Sequence, residues 1–111
     1  MENTDTSETQ WTRENTLGLI RGIRNDLAKD FLDERILIEY LSHKYNKKEL
    51  SNARIAFVKK DLKDLLIAPV DVDHYSPLIH EVEENHATGI SYKNEPLFYK
   101  EIDKILSKHI F

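Results

Sequence analysis

The chain has 111 residues, the usual size of one domain, with 40% hydrophobic and 32% charged side chains. That balance excludes a disordered chain. Sixteen Lys and Arg against twenty Asp and Glu, a formal charge of −4, exclude a generally basic protein that coats nucleic acid. The lack of cysteine excludes a disulfide framework, a thiolate zinc site, an iron–sulfur cluster and a cysteine nucleophile.

Residues 1–10 hold Glu2, Asp5 and Glu8 with no base and no apolar stretch of the kind a signal peptide needs. They are expected to be a disordered acidic tail, followed by a single helical domain over 11–111. Apolar runs such as Leu65–Val70 fall far short of the roughly 20 residues that span a bilayer, so a cytoplasmic location is expected. Strand-like alternation is almost absent, and helical spacing recurs in four or five places.

The first helix is predicted over Arg13–Lys29, capped by Thr12, with Ile20, Ile23, Leu27 and Phe31 on one face and Trp11 packed back on Leu17. Gly18 and Gly22, four apart, mark either a close helix–helix contact or two positions that each weaken the helix by about 1 kcal/mol. The second helix is predicted over Phe31–Tyr45, with Leu37, Tyr40, Leu41 and Tyr45 inward and Ile36 and Ile38 widening the face. A third is predicted to start at Asn46-Lys47-Lys48-Glu49, read as a capping box, and to continue along Leu50, Ala53, Phe57, Val58, Leu62 and Leu65. Pro69 sets its latest end.

After a connector over 69–76, Ser76-Pro77 reads as the cap and first residue of a short fourth helix to Asn85, with Leu78, Ile79 and Val82 inward. Gly89 ends or follows it, and Ile90 and Tyr92 anchor the next loop. A last helix starts near Asn94-Glu95-Pro96 and buries Phe98, Ile102, Ile105, Leu106 and either Ile110 or His109. The expected fold is all-α, a compact bundle of four to five helices.

Charge is divided unevenly. Residues 44–63 hold Lys44, Lys47, Lys48, Arg54, Lys59, Lys60 and Lys63 against Glu49 and Asp61, a balance of +5. Residues 70–86 hold Asp71, Asp73, Glu81, Glu83 and Glu84 with no Lys or Arg, a balance of −5, together with His74, His80 and His86. The basic block suits either phosphate contact, with Asn46, Ser51, Asn52 and Arg54 near a helix start as base readers, or an ordinary solvated face. The acidic block suits a cation or a basic protein surface, or else simply complements a helix N-terminus.

The best metal candidates are His74, His80 and Glu84 with Asp71 or Asp73, but no His-Glu-x-x-His motif is present. Asp71-Val72-Asp73 lacks the glycine and distal glutamate of a calcium loop. No nucleophile elbow or phosphate-cradling glycine loop occurs, so neither an enzyme nor a cofactor is expected.

Three segments carry a family resemblance. These are Leu37-Ile38-Glu39-Tyr40-Leu41-Ser42-His43-Lys44-Tyr45 continuing through Asn46-Lys47-Lys48-Glu49-Leu50, then Val70-Asp71-Val72-Asp73-His74-Tyr75-Ser76-Pro77, and then the helix from Glu95 to Leu106. The pattern resembles helical bacteriocin immunity proteins of the colicin D type. In that family a small acidic helical bundle plugs the basic active site of a nuclease toxin, its carboxylates standing in for RNA phosphates. The resemblance implies that Asp71, Asp73, Glu81, Glu83 and Glu84 meet toxin Lys and Arg residues. The expected function is a non-enzymatic, toxin-neutralising protein that docks on a protein partner, with Tyr75 and Tyr92 as aromatic anchors. The alternatives are a small nucleic-acid-binding regulator using the basic third helix, and an oligomerising module joined at Gly18 and Gly22.

Overall fold

The computed structural model describes residues 13–85 and 94–111. They form an all-α bundle of five helices: α1 (Arg13–Asp30), α2 (Glu34–Tyr45), α3 (Asn52–Ile67), α4 (Val72–Asn85) and α5 (Glu95–Ile110). The bundle is drawn out along one axis, with extents of 57 × 23 × 23 Å. No described helix is long and apolar enough to cross a membrane. The tail, Trp11, Thr12, His86, Gly89, Ile90 and Tyr92 lie outside the described residues.

In α1 the buried line is Thr16, Ile20, Arg24 and Ala28, each four residues from the last, while Ile23 and Leu27 are only partly covered. Gly18 and Gly22 are exposed, and a Cβ added at either meets nothing within 4 Å. The glycine pair therefore makes no close helix contact among the described residues.

Three expected helix starts move. Asp33, not the region of Phe31, caps α2 by accepting a hydrogen bond from the Arg35 N–H. Asn46 does not open α3. It closes α2 in the left-handed conformation at φ 54°, with its own N–H on the Leu41 carbonyl. The cap of α3 is Ser51, whose hydroxyl accepts from the Arg54 N–H, so α3 starts five residues after the expected box. Helix α4 starts a turn before Ser76-Pro77. The Asp71 carboxylate accepts from the His74 N–H, and the Asp71 carbonyl accepts from Tyr75 N–H. Pro77 lies inside the helix, where it withholds one ladder donor from the Asp73 carbonyl. The earlier start adds Tyr75 to the face of Leu78, Ile79 and Val82, and all four are buried.

The interior has two parts. One cluster joins Ala28, Phe31, Leu37, Leu41, Val58 and Leu62 to Ile102, Leu106 and Ile110. The other joins Ile20 to Val70, Tyr75, Leu78, Ile79, Val82 and Phe98. Helices α1 and α5 contribute to both, α2 and α3 to the first and α4 to the second. Burying each large side chain contributes about 1.5–3 kcal/mol. The expected α3 stripe is corrected: Ile55 is buried, whereas Ala53 is exposed and Phe57 is 55% exposed.

Candidate functional site: the outer face of α4

Helix α4 buries the face that carries residues 75, 78, 79 and 82, so geometry assigns the opposite pole to residues 73, 77, 80 and 84. Asp73, Pro77, His80 and Glu84 are all exposed. They form a row about 16 Å long at 1.5 Å per residue. Glu83 flanks the row on the side of α1, where its carboxylate lies 3.9 Å from the Arg13 guanidinium. Glu81 flanks the other side and is partly buried. Asp71 is exposed at the start of the helix but is committed to its cap. His80 Nε2 sits 3.5 Å from the Glu84 carboxylate, both side chains mostly in solvent.

Tyr75 is not an exposed anchor. It is fully buried, its ring packs on Phe98 with centroids 5.2 Å apart, and its hydroxyl donates to Glu101. Burial, and then the Glu101 carboxylate, raise its pKa above the ordinary tyrosine range. The residue that sequence spacing marked for contact with a partner is part of the core because α4 begins one turn earlier than Ser76-Pro77 suggests. His74 is likewise held inward, donating from Nε2 to the Leu97 carbonyl at 2.9 Å. With His74 turned to α5 and His80 turned to solvent, the proposed ligand set does not converge. No group of three or more metal-ligating side chains occurs among the described residues.

The basic third helix is partly answered by acids. Lys59 lies 3.6 Å from Glu34, Lys60 lies 3.3 Å from Asp64, and Arg54 donates to the Ile110 carbonyl. Lys108 Nζ and His109 Nε2 of α5 converge on Asp61 at 3.4 and 2.7 Å. Between α3 and α5 runs an open groove of about 440 Å³, floored by Leu65, Ala68 and Ile105 and edged by both signs of charge. It has no single electrostatic character.

Two side-chain clusters lie outside the sequence expectation. On one, Asp103 of α5 accepts from the Tyr40 and Tyr45 hydroxyls at 2.7 and 3.0 Å and from the Lys44 ammonium. Burial first, and then this carboxylate, push Tyr45 up to about 12 and raise Tyr40 further. On the other, the His109 ring stacks on Phe57 at 5.9 Å while bonded to Asp61. Spacing along a single helix could not reveal either, because each joins residues about 50 or 60 positions apart. No protein-family model, curated protein or solved structure matches the chain.

Proposed function

We propose that the chain is a non-enzymatic, toxin-neutralising protein of the bacteriocin-immunity kind, acting in the cytoplasm by binding and occluding a basic protein partner. The docking surface is the outer face of α4, with Asp73 and Glu84 as its central carboxylates and Asp71, Glu81 and Glu83 at its margins. The observation that carries this reading is the exposure of Asp73, Glu83 and Glu84 on one helix that holds no lysine or arginine. Such a surface draws a cationic partner at rates well above the ordinary range and loses that advantage with salt. Tyr92, which lies outside the described residues, remains a proposed aromatic anchor. The competing use of α3 to bind nucleic acid is disfavoured by the pairing of Lys59 and Lys60 with Glu34 and Asp64.

The test is co-expression with the polypeptide encoded by the adjacent reading frame. The neighbour is expected to arrest growth alone and to be neutralised by the wild-type chain. The triple variant Asp73→Lys, Glu83→Lys, Glu84→Lys is expected to lose protection while its melting temperature stays within a few degrees of wild type. A neighbour that does not arrest growth, or a triple variant that still protects, overturns the reading.

A further inference from the structure

Helix α3 buries Ile55, Val58 and Leu62, so its opposite pole carries Ala53, Lys60, Asp64 and Ile67, with Ala56 and Lys63 on one flank and Phe57 on the other. All seven are exposed, over about 21 Å of helix. Phe57 is 55% and Ile67 86% exposed, and the two stand about 15 Å apart along the axis. The His109 ring, stacked on Phe57, holds that side chain in place. Ala56, Lys59, Lys60, Lys63 and Asp64 line an open hollow of about 390 Å³ on the same face. Ala56 adds only a methyl group, so the three ammonium groups decide what enters.

We propose that this face docks on an anionic lipid bilayer, with α3 lying along the membrane surface. The lysines of the hollow meet headgroup phosphates, and Phe57 and Ile67 enter the boundary between headgroups and acyl chains. The lysine stems lie along that boundary while their charged ends stay at the phosphates. Two features favour a bilayer over another macromolecule. The apolar side chains are set apart, with lysines between them, rather than gathered into the single desolvated centre of a protein–protein contact, and a fluid lipid surface needs no such centre. Glu34 and Asp64 offset Lys59 and Lys60, and the whole chain carries −4, so charge alone holds a polyanion such as nucleic acid weakly. A bilayer adds apolar burial to a modest charge. The face is separate from the α4 carboxylates and does not depend on what they bind.

Flotation of the full chain with vesicles tests this, using phosphatidylcholine alone or with about 30% phosphatidylserine at low ionic strength. The wild type is expected to partition onto the phosphatidylserine vesicles at least about ten-fold better than onto phosphatidylcholine alone. The double variant Lys60→Glu, Lys63→Glu is expected to lose at least about ten-fold of that partition. Ile67→Ser, which leaves every charge in place, is expected to lose about five-fold or more. These side chains are exposed, so each variant should melt within a few degrees of wild type. Equal partition of the wild type onto both vesicles overturns the proposal. So does a double variant that floats like wild type. Unchanged flotation of Ile67→Ser overturns it as well, because a contact made by charge alone would suit a polyanion instead. If a variant does not fold, the wild-type comparison of the two vesicles decides alone.

Discussion

Asp61 binds two neighbours on α5 at once, and this gives it a defined pH signature. The His109 hydrogen bond, followed by Lys108, holds its carboxyl below the ordinary value of 3.8. A depressed carboxyl stabilises the fold fully above its unfolded pKa, and that contribution is lost as pH falls through the folded value. Asp61→Asn is therefore expected to cost about 1–3 kcal/mol at neutral pH, and the gap should close in the acid region below about pH 4. Urea unfolding across a pH series measures it, and a gap that stays constant would remove the ion pair as its cause. Asp103 offers an optical counterpart. Asp103→Asn should let Tyr45 ionise at a lower pH than its present value of about 12. The tyrosinate absorbance of the variant should rise earlier in an alkaline titration. The charged residue that matters most to the interior, Arg24, was partly visible in the sequence. It stands four residues after Ile20 and four before Ala28, in a line that is apolar on both sides. What the sequence does not carry is its acceptor set, the Ala68 and Pro69 carbonyls, because any residue would have them.

At the level of the helix, the stripes were easier to read than the ends. The faces of α4 and α5 follow from Leu78, Ile79 and Val82 and from Phe98, Ile102 and Leu106, since apolar repeats at three and four leave one solution. The ends misled because the same residue types serve opposite purposes. Asn46 with Glu49 has the spacing of a cap at a helix start, yet asparagine also tolerates the left-handed conformation that stops a helix. Asn46→Ala is expected to destabilise the fold by about 1 kcal/mol and Asn46→Gly to be neutral or mildly stabilising, read by thermal melts. Ser76-Pro77 has the form of a start, yet the carboxylate of Asp71 supplies a better cap one turn upstream and Tyr75 gains a buried place by it. Pro77 then sits where an N–H is missed and its ring faces water. Pro77→Ala should raise stability by about 1–2 kcal/mol, less than the full interior penalty because proline also restricts the unfolded chain. A loss of stability would mean that the ring, rather than the missing donor, matters there.

Across the whole molecule, the sequence's two charge blocks fall on different helices. The acids lie along α4 and the lysines along α3, where carboxylates from α2 and α3 itself moderate Lys59 and Lys60. The partition by sign was legible from the chain alone. The division of the interior was not, because it depends on which helix packs beside which, and α1 and α5 cross from one cluster to the other. Short oligolysine should perturb amide resonances chiefly over Asp71–Glu84 at low ionic strength, and the effect should fade near 0.5 M salt, where the screening length is about 4 Å. Shifts spread evenly over all five helices would mean that no electronegative pole exists.

The proportions of 57 × 23 × 23 Å carry a practical consequence for anyone weighing this protein. A single 13.1 kDa chain about 2.5 times longer than it is wide experiences more friction than a sphere of the same mass. On a gel-filtration column it will leave early, at a volume that a calibration with round standards assigns to a heavier species. An early peak alone would thus masquerade as a dimer, and light scattering, which reads mass regardless of outline, is the measurement that separates the two.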